Sequence, residues 1–258
     1  MDFFGFPIWV AALLCAGVFC ASFMDAIGGG GGIISVPCYL LAGFPVHLAL
    51  GTNKLSSCIG TVASTVRFLK NGCVDWLLGV PSIVLALLGA HLGTRLQLIV
   101  DEKYLKLLLL IVLPVIAIII FKKKQLPESR GSMNEWIRRV IVWSASLIIG
   151  GYDGFYGPGT GTFLLLVFCY IAKIDVRTAS GNVKLVNLSS NLGALATSLM
   201  AGKVIIPIGL LASGFAIAGQ YIGAGLALKN GSKIVRPVIM VVLLLLAGKI
   251  ILELFGVI

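Results

Sequence analysis

Gly51-Thr52-Asn53-Lys54-Leu55 sets a lysine inside an apolar segment, and Gly181-Asn182-Val183-Lys184-Leu185 does so again 130 residues later. An ionisable side chain at membrane depth costs from about 2.5 to more than 10 kcal/mol, so such residues face a bundle interior or a water-filled cavity and mark a pathway. Two lysines at corresponding depth point to a central site for an anion.

The rest of the chain provides the apolar surroundings that this reading needs. Of 258 residues, 59% are hydrophobic and only 12% charged, with a mean hydropathy of +1.06, too apolar for a soluble domain of this length. Runs such as Leu105 to Phe121 and Val238 to Leu252 approach the length that crosses a hydrocarbon core as a helix. They lack the alternation of a membrane β-barrel, so helices are the spanning element. No separate soluble domain has room here. Phe6 to Met24 has no basic stretch before it and reads as a retained helix rather than a secretion signal. The six cysteines (Cys15, Cys20, Cys38, Cys58, Cys73, Cys169) show no C-x-x-C or metal spacing, so neither a metal nor a cofactor is expected. The net charge of +10 lies mostly in short connectors and reads as a topology signal, not a nucleic-acid one.

Apolar runs and breakers predict ten helical segments, at 5–24, 33–42, 48–69, 77–98, 103–121, 137–152, 160–172, 178–200, 207–228 and 235–254. The expected fold is all-α: a polytopic helical membrane protein with eight to ten transmembrane segments. A shift of 130 residues aligns Gly29 with Gly159, Gly31 with Gly161, Val46 with Val176 and Lys54 with Lys184. The same shift continues through Gly72 and Gly202, Gly89 and Gly219, and Lys103 and Lys233. The chain therefore divides into a first repeat over 1–124, a connector over 125–136 and a second repeat over 137–258. An odd number of crossings per unit inserts the second copy upside down, an inverted repeat. Lys122, Lys123, Lys124, Arg130, Arg138 and Arg139 in and around the connector outnumber Glu128 and Glu135, which places it in the cytoplasm and both termini outside.

Each unit is interrupted early. Asp25-Ala26-Ile27 leads into Gly28 to Gly32, and Asp153 into Gly157-Pro158-Gly159-Thr160-Gly161. Interior glycine costs a helix about 1 kcal/mol relative to alanine and proline about 3. Broken segments at matching places in two halves are the sequence pointer to a transporter site, where freed amides such as those of Gly29, Gly31, Gly159 and Gly161 meet an anion. Neither stretch has the G-x-x-x-x-G-K-[ST] pattern of a phosphate loop.

Around the lysines lie small polar residues: Thr52, Asn53, Ser57 and Thr61 in one unit, Asn182, Asn187 and Asn191 in the other. Lys184, Asn187 and Asn191 share a helix face at i, i+3 and i+7. Lysine supplies charge, and amides add directed hydrogen bonds to oxyanion oxygens. Asp25 and Asp153 are candidates for carrying a coupling ion, proton or sodium, although they stand two residues out of register at the 130 shift. Gln220, His47, His91 and Arg95 carry weaker signals. No G-x-S-x-G or H-E-x-x-H is present, so an enzyme is not expected.

The run Gly28 to Val36, followed by Gly43-Phe44-Pro45, Leu50 to Leu55 and Gly72-Cys73-Val74-Asp75-Trp76, resembles the TauE/SafE family of membrane transporters. Ala179-Ser180-Gly181-Asn182, Asn187 to Asn191 and Gly202-Lys203-Val204 extend the resemblance through the second half. It implies movement of small sulfur-containing anions, sulfite or organosulfonates, across the cell membrane, often as export. The expected function is a gradient-driven secondary transporter working by alternating access. The alternative is an anion channel or a non-transporting membrane scaffold.

Overall fold

The computed structural model describes residues 2–3, 6–101, 104, 128–230 and 233–234. Apart from a two-residue antiparallel pairing of Asp2–Phe3 with Phe6–Pro7, its regular structure is helical. The first half holds α1 (Ile8–Gly28), α2 (Gly32–Leu41), α3 (Val46–Lys70) and α4 (Trp76–Ile99). The second holds α5 (Glu135–Phe155), α6 (Thr160–Leu166) running into a π turn (Val167–Ile171), α7 (Val176–Met200) and α8 (Ile206–Asn230). The segments expected at 103–121 and 235–254 lie outside the described residues. Helix α1 continues past the expected end at 24 to include Asp25, and α5 likewise includes Asp153.

Local chemistry explains the ends. Asp75, Asn134 and Asp175 cap α4, α5 and α7 by accepting the backbone N–H groups of Leu77, Trp136 and Thr178. Helices α3 and α7 both stop at a glycine of φ +65°, Gly72 and Gly202, which stand 130 residues apart. The breaks after α1 and α5 run through Gly29 and Gly30, then Gly157 and Gly159, all at positive φ where side chains are strained.

Packing relations exchange between the halves. Helix α1 lies along α8, and α5 lies along α4. A β-carbon on Gly219 or Gly223 would meet the carbonyls of Phe19 or Phe23, and one on Gly89 or Gly93 those of Leu147 or Gly151. These are the small-x-x-x-small contacts by which membrane helices approach closely. At the centre α3 and α7 run antiparallel: Lys54 reaches Asn191, while Thr65, farther along α3, donates to the carbonyl of Lys184, earlier in α7. Gly51 sits against the Lys203 carbonyl and Gly181 against that of Cys73, the same contact made twice.

Three described helices are long and apolar enough to cross a membrane: α1 over Trp9–Gly28, α4 over Trp76–Ile99 and α8 over Ile206–Asn230. Their outer faces stay apolar, with Leu77, Leu92 and Ile99 on α4 and Leu210 and Ile222 on α8 exposed. In a bilayer such faces need no further cover. Polar residues concentrate inward, on α3 and α7.

Candidate functional site

Lys54 and Lys184 stand about a third of the way along α3 and α7, only 6% and 2% exposed. Each is paired. Lys54 Nζ lies 2.8 Å from Asp153 Oδ2 and donates to Asn191 Oδ1 at 3.2 Å. Lys184 Nζ lies 2.8 Å from Asp25 Oδ2 and also donates to the Asp25 backbone carbonyl. Each lysine thus takes the aspartate of the other half.

The aspartates correspond more closely than the sequence shift implied. Gly219 packs on Phe19 and Gly89 on Leu147, so α1 and α5 match at a shift of 128, and at that shift Asp25 falls on Asp153. Two extra residues in the second break account for the difference: Asp25 precedes Gly29 by four positions, Asp153 precedes Gly159 by six. Both carboxylates sit in the last turn of a helix, at the negative end of its dipole, an arrangement unfavourable by about 0.3–1 kcal/mol that a facing ammonium offsets.

Further polar groups complete the pairs. Asp25 Oδ1 accepts the N–H of Gly31 at 3.2 Å, tying α1 to the start of α2 across the break. Asp25 Oδ2 also accepts from Gln220 Nε2 at 2.8 Å, and Asp153 Oδ2 from Ser190 Oγ at 2.7 Å. The two breaks meet: Gly29 lies against the backbone of Gly161 and Thr162, and Thr162 Oγ1 donates to the Gly28 carbonyl at 2.9 Å.

Beside them is a cavity of about 40 Å³. Lys54, Asp153, Asn53, Asn191, Asp25, Asn187 and Gln220 line it. Gly31 and Gly161 also reach it, with Ser57, Thr61, Tyr156 and Thr160. Five expected residues stand elsewhere. Lys184 lies behind Asp25. Thr52 accepts the N–H of Ile205 at 3.0 Å just before α8, and Asn182 Nδ2 donates to the Thr178 carbonyl of its own helix at 2.9 Å. Gly29 is taken up by the contact between breaks, and Gly159 packs on the Phe163 ring.

Gln220 has more to do than its sequence signal indicated, Ser190 belongs to the small polar face around Lys184 that the sequence displays, and Tyr156 and Thr160 were not singled out. A lone glutamine in an apolar span was the available sign for Gln220. His47 pairs through Nδ1 with Gln97 Nε2, and His91 Nδ1 with Thr197 Oγ1 at 2.8 Å; neither lines the cavity, and Arg95 is exposed.

A buried, charged and polar cavity between two broken helices suits transport of a small polar solute, and comparison with known proteins agrees. The model of the sulfite exporter TauE/SafE family matches residues 13–250. The chain belongs to the TauE/SafE family. It is similar to a probable membrane transporter protein, ORF9, of a Sinorhizobium species, 34% identical over 94% of this chain and 92% of that one. A probable membrane transporter protein of Haemophilus influenzae is 30% identical over 95% of each chain. The probable membrane transporter protein YfcA of Escherichia coli is 31% identical over 92% of this chain and 87% of its own. No solved structure matches. This TauE/SafE chain is a membrane protein, and transport of a small solute is its function class.

Proposed function

We propose that the chain is a secondary transporter of small sulfur-containing oxyanions, sulfite or an organosulfonate, bound in the cavity between two inverted repeats. The observation that carries this reading is Lys54: two of its three N–H donors go to Asp153 and Asn191, and its ammonium forms part of the cavity wall. Asn53, Asn187, Asn191 and the Gly31 and Gly161 backbone would orient the oxyanion. Lys184 contributes charge from behind Asp25, so the paired lysines act unequally, Lys54 by contact and Lys184 at a distance. Thr52, Asn182, Gly29 and Gly159 hold the frame.

The antiparallel run of α3 and α7, and the exchange of α1–α8 packing for α5–α4, support units 1–124 and 137–258 as inverted copies. The basic residues in and around 125–136 are the support for a cytoplasmic connector, which leaves both termini outside. Rocking one unit against the other gives alternating access, driven by an ion gradient.

The test is a panel of sulfite, thiosulfate, sulfoacetate, sulfate and chloride added to purified wild type, Lys54→Gln and Lys184→Gln, read as a rise in the thermal midpoint. Stabilisation by sulfite or a sulfonate that Lys54→Gln abolishes and Lys184→Gln weakens is expected. A folded Lys54→Gln protein that responds as wild type does removes the lysine from the site. In liposomes, flux that accumulates the anion against its gradient marks a transporter; flux that only dissipates the gradient marks a channel.

A further inference from the structure

The cavity wall offers acceptors that an anion cannot use. Asn53 Oδ1, Asn187 Oδ1 and Gln220 Oε1 are buried and have no hydrogen-bond partner, and their residues are 6%, 5% and 2% exposed. They come from α3, α7 and α8, and all three residues line the same cavity. The orientation of Gln220 is fixed, since its Nε2 donates to Asp25 Oδ2 and its oxygen must therefore point elsewhere. Buried acceptors are normally satisfied, so a set of them around one cavity calls for an occupant that complements oxygen.

Charge leads to the same requirement. Lys54 and Lys184 balance Asp153 and Asp25, leaving the empty site neutral. An anion bound alone would add an uncompensated charge in surroundings of low dielectric. A proton does not answer both demands, because amide oxygens do not take one up near neutral pH. Hard neutral oxygens beside a carboxylate are the ligands of a hard metal cation, and a single positive charge balances a monovalent anion.

We propose that Asn53, Asn187, Gln220 and Asp25 form a binding site for a small monovalent metal cation, which occupies the cavity together with the anion on Lys54. This deepens the transporter reading and rests on it, since it makes the metal cation the coupling ion. The binding of the two ions is reciprocal, so each raises affinity for the other.

The experiment measures the thermal midpoint of the purified full chain in sodium, potassium or choline gluconate at equal ionic strength, with sulfite titrated into each. Sodium is expected to raise the midpoint above choline and to lower the sulfite concentration for half-maximal stabilisation several-fold. Gln220→Leu is expected to lose the sodium effect while keeping a response to sulfite, and Gln220→Met serves the same purpose if the first variant does not fold. Equal sulfite responses in all three salts overturn the cation site and leave the anion reading standing. A sodium effect that survives in a folded Gln220→Leu or Gln220→Met protein also overturns it. If none of the anions in the panel stabilises the protein in any salt, both readings fall together.

Discussion

Lys54 of α3 and Asp153 of α5 belong to opposite halves of the chain and meet at 2.8 Å, while Lys184 of α7 meets Asp25 of α1 at the same distance. Two crossed ion pairs therefore join the two halves where their broken helices touch.

Breaking one of these pairs leaves a buried charge without a partner, which costs about 3–5 kcal/mol. Lys54→Ala and Asp153→Ala should each lower stability by that order in denaturant unfolding. Double-mutant cycles should give the larger coupling for the crossed pairs, above about 1 kcal/mol, and a smaller one for Lys54 with Asp25 of its own half. Equal couplings for crossed and same-half pairs would show one diffuse charge cluster instead of two bonds.

Close approach of α3 and α7 to the turns of the opposite repeat depends on Gly51 and Gly181. A side chain at either would be driven into a backbone carbonyl, of Lys203 or Cys73, which cannot swing aside. Gly51→Val and Gly181→Val should each destabilise the protein by about 2–3 kcal/mol or prevent its folding. Gly214→Ala is the contrast: it faces open space on α8 and should stabilise by about 0.5–1 kcal/mol. Thermal midpoints of the three purified variants check the order.

Arg138 is 1% exposed and holds the start of α5 to its surroundings. Its Nε donates to the Ala172 carbonyl at 2.9 Å and its Nη2 to the Gly131 carbonyl at 2.7 Å, with Glu135 as ionic partner. Arg138→Ala strips these acceptors at once and should cost about 2–4 kcal/mol. Arg138→Lys, a point charge on a flexible stem, cannot span all three and should fall between. Neither variant, once folded, should change the stabilisation by anions, because the residue is remote from the cavity.

Much of this arrangement was legible in the sequence because glycine and lysine are costly where they stand. The lysines marked α3 and α7, and the glycine runs marked α2 and α6 as short helices behind breaks. Asp25 and Asp153 were harder to match, since two residues inserted in the second break hide their correspondence at the shift of 130. The crossing of the pairs was not legible: it depends on α1 lying beside α8, and α5 beside α4, a relation that no local pattern encodes. The lysines look alike in sequence, yet only Lys54 reaches the cavity, because Asp25 stands in front of Lys184. Gln220 has no counterpart to announce it, since the matching position in the first repeat is Ala90.

The proposed inverted arrangement makes a prediction about sidedness. Asn71 and Ala201 follow α3 and α7 by one residue, stand 130 residues apart, and are both exposed beside a glycine of φ +65°. In two copies related by inversion these equivalent turns lie on opposite faces of the membrane. On the proposed topology the basic residues Arg67 and Lys70 mark the first turn as the cytoplasmic one. In a background without reactive native cysteines, Asn71→Cys should be labelled by a membrane-impermeant maleimide only after the cells are opened. Ala201→Cys should be labelled in intact cells. Labelling of both from one side would mean that the two units enter the membrane in the same sense, and the antiparallel meeting of α3 and α7 would then need a different explanation.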